Sequence, residues 1–215
     1  MPPALDQEGD LSPQTLVIPE IRDYQKINAE VVALLDRGHQ CLRLEGAEGQ
    51  RLLASGLSGH WQATIEIVGR TGPEAVANLD APNLTVIVRG HTADGAARGL
   101  KSGRVVFLGD ASVAAGYGQS GGILLISGSA GPRAGLCQSG GTLAILGEVG
   151  RLASDRQAGG LFFASGGSLG PQPGRGRRGG RLIEDVASDR LDLAASSAWG
   201  EVLDLARGLV EISWP

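Results

Sequence analysis

Gly103-Arg-Val-Val-Phe-Leu-Gly109, Gly122-Ile-Leu-Leu-Ile-Ser-Gly128 and Gly141-Thr-Leu-Ala-Ile-Leu-Gly147 are three copies of one unit, each beginning 19 residues after the last. Every copy is a five-residue apolar run with glycine on both sides. Short runs of this kind, bounded by turn residues, read as strands and are too brief for helices. The closing glycines continue the period as Gly90, Gly109, Gly128, Gly147 and Gly166, and the opening ones as Gly103, Gly122, Gly141 and Gly160. Gly121, Gly140 and Gly159 double three of the opening glycines.

Outward from this stretch the same run recurs as Thr85-Val-Ile-Val-Arg89 and Leu161-Phe-Phe-Ala-Ser165. It recurs with altered spacing as Leu42-Arg-Leu-Glu-Gly46 and Ile65-Glu-Ile-Val-Gly69, and Arg181-Leu-Ile-Glu184 forms a terminal copy. A unit with one short strand and two glycine turns cannot bury its own apolar face, whereas stacked units can. Nineteen residues are too few for a strand plus a crossover helix. The expected fold is therefore all-β: a single-stranded parallel β-helix of about seven coils, right-handed because parallel crossovers strongly favour that hand. At the usual strand spacing such a rod is about 30 Å long.

Alternation along the strand sets the faces. The second and fourth positions, such as Val105/Phe107, Leu124/Ile126 and Leu143/Ile145, are assigned to the interior. So are the small residues Ala111, Ala130 and Val149, and the column Ala96, Ala115, Ala134 and Ala153. The glycine columns, Gly90, Gly109, Gly128, Gly147 and Gly166 with Gly122, Gly141 and Gly160, are assigned to corners that need positive φ or close backbone approach. The middle position points outward. It is charged in the first coils (Arg43, Glu66) and apolar afterwards: Ile87, Val106, Leu125, Ala144 and Phe163. An apolar stripe outside a solenoid requires a cover. It is the chain's own terminal helix, an interface through Ile87, Val106, Leu125 and Phe163 with another protein or a second copy, or both. One further column, Leu100 followed by Gln119, Gln138 and Gln157, reads as a structural amide ladder or as a polar groove.

The flanks complete a domain plan. Residues 1–20 read as a flexible arm, 21–41 as an N-terminal capping helix, 42–185 as the β-helix and 186–215 as a C-terminal helix and tail. Ile27, Val31, Leu34 and Leu35 share a helix face, with Gly38 as the stop. Leu191 to Leu209 reads as the second helix, with Trp199, Leu203 and Ala206 on one face, suited to lie over the outer stripe. Between them the loop around Arg175, Arg177 and Arg178 reads as a solvated break, or as a grip for an acidic partner or a phosphate.

Composition agrees with this plan. Glycine makes up 35 of 215 residues, against a usual roughly 7 %. Aromatic residues are 4 % and the net charge is −4. The glycines have no G-X-Y period, which excludes collagen. No apolar run reaches the roughly 18 residues of a membrane span, and the start has no signal-peptide pattern. A cytoplasmic protein is expected, with no membrane partner, and the negative charge argues against nucleic acid. Cys41 and Cys137 are too few for a disulfide framework, and no histidine pair has metal spacing. There is no phosphate loop, dinucleotide fingerprint or nucleophile elbow in a suitable context. His91, Asp94 and Asp110 could meet near one corner. No catalytic, cofactor or metal site is assigned on this chain.

The repeat, with its Gly-Gly corners and units such as Gly109-Asp-Ala-Ser112 and Gly128-Ser-Ala-Gly131, resembles the GXGXG β-helix domain of the glutamate synthase large subunit. That domain also occurs as a stand-alone form, and as the β-helix subunit of formylmethanofuran dehydrogenase and of the related formyltransferase/hydrolase complex. The resemblance covers about residues 21 to 168. Ile21-Arg-Asp-Tyr-Gln-Lys-Ile-Asn28 and Gly49-Gln-Arg51 look closest to the glutamate synthase branch. The chain departs from the pattern at Ser112, Ser154 and Pro173, which replace glycine, and at Gln119, Gln138 and Gln157, where family coils often hold Met. The resemblance implies a non-catalytic scaffold subunit of an oxidoreductase complex, with flavin and iron–sulfur cluster on a partner subunit. The alternatives are the equivalent scaffold of a formyl-transfer complex and a self-associating structural protein.

Overall fold

The structure is a computed structural model that describes residues 13–18, 23–165, 169–184 and 193–211. Nine strands form one all-parallel sheet in sequence order: β1 (Gln14–Val17), β2 (Cys41–Glu48), β3 (Ala63–Arg70), β4 (Asp80–Arg89), β5 (Ser102–Phe107), β6 (Ile123–Ile126), β7 (Ser139–Ile145), β8 (Gly159–Ala164) and β9 (Arg181–Ile183). Each strand pairs with the one a coil away, so the chain is a β-solenoid of about seven turns. Helix α1 (Tyr24–Asp36) precedes β2 and α2 (Leu193–Glu211) follows β9.

The register stacks Val105 on Leu124, Leu124 on Leu143 and Leu143 on Phe162. The interior pairs are fully buried, as are Ala96, Ala115, Ala134 and Ala153. The column Ala111, Ala130 and Val149 is also buried, and it forms a second, one-residue-wide parallel ladder running from Thr71 to Leu169.

The third side of each coil is a six-residue ribbon in which alternate residues have positive φ. In one coil these are Ala114 (+60°), Gly116 (+68°) and Gly118 (+67°); in another, Glu74, Val76 and Asn78. Every non-glycine residue with positive φ among the described residues falls on these three columns. Successive ribbons are hydrogen-bonded like strands. Ala114 N and Gly118 N donate forward to Pro132 O and Leu136 O (2.9 and 2.8 Å), while Gly116 N donates back to Ala96 O (2.9 Å).

The two glycine columns answer to different constraints. Gly141 has φ +70°, and a Cβ there would run into the Gly121 carbonyl and lie 2.7 Å from Gly122 O. Gly147 has no positive φ, but its Cβ would lie 2.7 Å from the Gly128 carbonyl one coil back. Gly166 lies outside the described residues.

Two expectations at the N-terminus are revised. Gln14–Val17, placed within a flexible arm, is a strand in register with Leu42 to Glu45, and Ile18 beyond it is buried. Its β-branched and leucine residues complete the open edge of β2, which an arm would leave unpaired. Glu66, expected on an exposed face, is 0 % exposed, gripped by Arg43 and Arg89. Helix α1 forms as expected: Asp23 Oδ1 accepts Lys26 N at its start, Gly38 takes φ +90° past its end, and Ile27, Val31 and Leu35 are buried.

Gly141→Ala and Gly118→Ala separate the two kinds of cost. Gly118 has open space around its Cβ, so alanine there costs only the left-handed penalty of about 1–2 kcal/mol. Gly141→Ala adds a backbone collision and is expected to cost on the order of 3 kcal/mol or more. Denaturant midpoints of the two variants check the ordering.

Candidate functional site

The sequence singles out four places, and the structure shows what each group touches. The outer stripe comes first. Ile87, Val106, Leu125, Ala144, Phe163 and Ile183 pack beneath α2 through its Ala195 and Val202, with Ala198, Trp199, Leu205 and Ala206 half-buried against them. The Phe163 and Trp199 rings sit 5.1 Å apart, tilted by 46°. Ile87, Val106, Leu125 and Phe163 are each 0 % exposed. Their assignment as an interface with another molecule is therefore replaced by an intramolecular one. Spacing 195, 198/199, 202, 205/206 is the helical stripe that reaches the sheet. Leu203, expected on that face, falls outside the stripe and is exposed.

Where the stripe is charged, Glu66 closes a chain of ion pairs. Arg43 Nε also donates to Glu45 Oε1 at 2.7 Å. The hydrogen bond that Arg43 donates to Glu45 is the main reason that the Arg43 pKa is raised; desolvation opposes it, and the charge of Glu66 reinforces it. Glu66 lies beside Arg43 in register and one coil from Ile87, so the network extends the covered stripe toward the N-terminus.

The glutamines form the second place. Gln119, Gln138 and Gln157 are wholly buried, which removes the groove reading. Each Nε2 binds the carbonyls of its own glycine corner and of the next strand. Gln119 Nε2 donates to Gly121 O, Gly122 O and Thr142 O (3.0, 3.2 and 3.0 Å). Gln138 Nε2 donates to Gly140 O, Gly141 O and Leu161 O (3.3, 3.3 and 3.1 Å). Among the described residues one direct amide-to-amide rung joins these glutamines, from Gln157 Nε2 to Gln138 Oε1 at 3.1 Å. Gln119 Oε1 meets no donor among the described residues, because Gln138 Nε2, one coil on, is spent on the carbonyls of its own corner and the next strand. The amides serve as internal clamps on the corner.

His91, Asp94 and Asp110 are the third. His91 and Asp110 meet, with Nδ1 3.4 Å from Asp110 Oδ2, but Asp94 does not join them. His91 Nδ1 accepts Asp110 N at 3.1 Å, Asp110 Oδ1 accepts Ser129 N at 2.8 Å, and Ser129 Oγ accepts Glu148 N at 3.1 Å. This is one side-chain rung per coil along an exposed corner. Asp94 is engaged elsewhere, by Ser112 Oγ at 2.5 Å and Val113 N at 3.2 Å. Sequence spacing could have disclosed this ladder, since all four residues directly follow a closing glycine.

The arginine loop is the fourth. Arg175, Arg177 and Arg178 are exposed on the last ribbon, and Arg156 and Arg178 line a shallow cleft with Cys137, Ala158 and Gly176. Cys41 and Cys137 are both half-buried. No cluster of three or more metal-ligating side chains, and no helix long and apolar enough to cross a membrane, is present among the described residues. Compared with known proteins, the chain matches no family model, no curated protein and no solved structure.

Two variants check these roles. Gln138→Glu puts a carboxylate against three carbonyls, so its folded-state pKa rises and the folded state binds more protons than the unfolded. Its stability is greatest at low pH and falls as pH rises past the roughly 4.3 of an exposed Glu, by about 1.4 kcal/mol per unit. Thermal melts between acid and neutral pH read this slope, which the parent chain lacks at that position. Trp199→Ala removes the ring on Phe163 and is expected to lower the opening free energy of α2 by about 2 kcal/mol. Amide exchange of α2, compared with that of the strands, measures it.

Proposed function

We propose that this chain is a cytoplasmic, non-catalytic scaffold subunit of a glutamate synthase-like oxidoreductase complex, its flavin and iron–sulfur chemistry residing on a partner subunit. The observation that carries the reading is the employment of the periodic polar side chains. Gln119, Gln138, Gln157, Asp110, Ser129 and Asp94 all hydrogen-bond backbone groups of their own or the adjoining coil. Such groups hold a rod together and leave its chemistry to be supplied from outside. The resemblance of the glycine-cornered repeat to the GXGXG domain supplies the kind of complex.

A rod of stacked coils keeps the domains attached to it at fixed separation. With the apolar stripe already covered by α2, a partner meets the outer face of α2, the ribbon or the exposed corner. Affinity purification of the chain from its native source tests the proposal. A stoichiometric partner with flavin absorbance and glutamine-dependent glutamate synthesis is the expected result. A chain that elutes alone contradicts it, and a formyltransferase-type partner replaces it with the formyl-transfer scaffold.

A further inference from the structure

The two ends of the ribbon are finished differently. At the N-terminal end, α1 supplies what a preceding coil would. Asn28 Nδ2 donates to Leu52 O (2.8 Å) and Ser55 O (3.3 Å), and Asn28 Oδ1 accepts Ala54 N (2.9 Å). One side-chain amide thus stands in for a missing peptide group.

At the C-terminal end no such cap is found among the described residues. In the inner coils the first and fifth ribbon residues donate onward: Leu152 N to Pro171 O at 2.9 Å, and Arg156 N to Arg175 O at 2.7 Å. Their counterparts in the last coil, Gln172 N and Gly176 N, have no acceptor among the described residues. Arg175 N also has none, although its counterparts Tyr117, Leu136 and Asp155 each close onto the carbonyl three residues back (3.1, 3.1 and 3.3 Å). Two consecutive N–H groups, those of Arg175 and Gly176, therefore have no partner among the described residues. They lie in a stretch where Gly174 and Gly176 have φ +63° and +66°. Successive N–H groups in backbone of alternating hand form concavities that bind anions.

Solvent can satisfy open N–H groups at any chain end. What sets this end apart is the charge gathered there. Arg175, Arg177 and Arg178 are exposed, with Arg156 one coil inward, and none has a carboxylate within 4.0 Å among the described residues. Arg43, Arg89, Arg98 and Arg207 are ion-paired, whereas other arginines such as Arg133 and Arg151 also lack such a pair among the described residues; the distinction of this end is that three exposed arginines fall within four residues beside the unpaired N–H groups. In a chain of net charge −4 this is a local concentration of donors.

We infer that the open C-terminal end of the ribbon binds a phosphate-class oxyanion, held by the Arg175 and Gly176 N–H groups and the guanidiniums of Arg175, Arg177 and Arg178. Three guanidinium forks and two N–H groups offer more donors than the roughly four lone-pair sites of a carboxylate accept. A phosphate, with additional acceptor oxygens and affinity for arginine forks, matches them better. The inference is independent of the scaffold reading.

The test titrates the full, 15N-labelled chain with inorganic phosphate and then pyrophosphate at ionic strength held constant with chloride. Saturable shifts of the Arg175 and Gly176 amide resonances are expected, pyrophosphate binding more tightly. The equivalent amides two coils inward, Leu136 and Cys137, which do not bond to the Arg175–Gly176 peptide group, should stay still. Replacing Arg175, Arg177 and Arg178 together by Ala should weaken binding at least tenfold while leaving the melting temperature in place, since all three are exposed. Arg177→Lys, which keeps charge but loses the fork, should fall between. Absence of saturation, equal shifts at both coils, or unchanged affinity in the triple variant overturns the assignment. A triglutamate peptide that binds where phosphate does not overturns it in favour of an acidic protein segment.

Discussion

A peptide group hydrogen-bonded to its counterpart one coil away is the interaction on which this molecule depends. It recurs on the sheet, on the corner ladder and on the ribbon. Each such bond adds only about 1 kcal/mol net, but a buried group left without its partner costs about 1–3 kcal/mol. The ribbon makes the dependence plain. Left-handed backbone costs about 1–2 kcal/mol per non-glycine residue, yet Leu52, Glu74, Val76, Arg133 and Leu152 adopt it. They hold it because the alternation lets N–H groups reach coils on both sides.

This arrangement explains why polar side chains do structural work. At the tight glycine corners backbone carbonyls crowd together inside the rod, and Gln119, Gln138 and Gln157 bring donors to them. On the exposed corner His91, Asp110 and Ser129 accept the N–H of the next coil. Ends and faces are finished by the flanking segments: β1 and Asn28 at the start, α2 over the outer stripe. What remains exposed is a surface held rigid from within, which suits a part that positions others.

Much of this was legible in the sequence, for a physical reason. A solenoid repeats one environment, so a strict 19-residue period disclosed the strands, the interior columns and both glycine corners together. The spacing of Trp199 and Ala206 disclosed the cover, but it also pointed to Leu203, which is exposed, while the buried neighbour Val202 was passed over. The ribbon was not legible, because Val76 and Leu152 are poor left-handed residues whose conformation neighbouring coils impose. The alternating glycines Gly116/Gly118 and Gly174/Gly176 were its faint trace. Strand β1 lies outside the period, so no column marked it. Glu66 was misread because alternation placed it on the outer face and nothing in the period showed that Arg43 and Arg89 close over it there. The resemblance to the GXGXG domain bears on function and stands as proposal, since fold alone does not carry activity.

Amide hydrogen exchange across one coil tests the central claim most directly. The account predicts that the ribbon amides of Ala97, Gly116, Gly135 and Ser154, which donate to the preceding coil, are protected to within about tenfold of strand amides such as Val106 and Leu125, opening only with the stacked coils. If they exchange at the rates of an ordinary surface loop while the strands stay protected, the ribbon is a linker and the rod is not held by backbone pairing on all its sides.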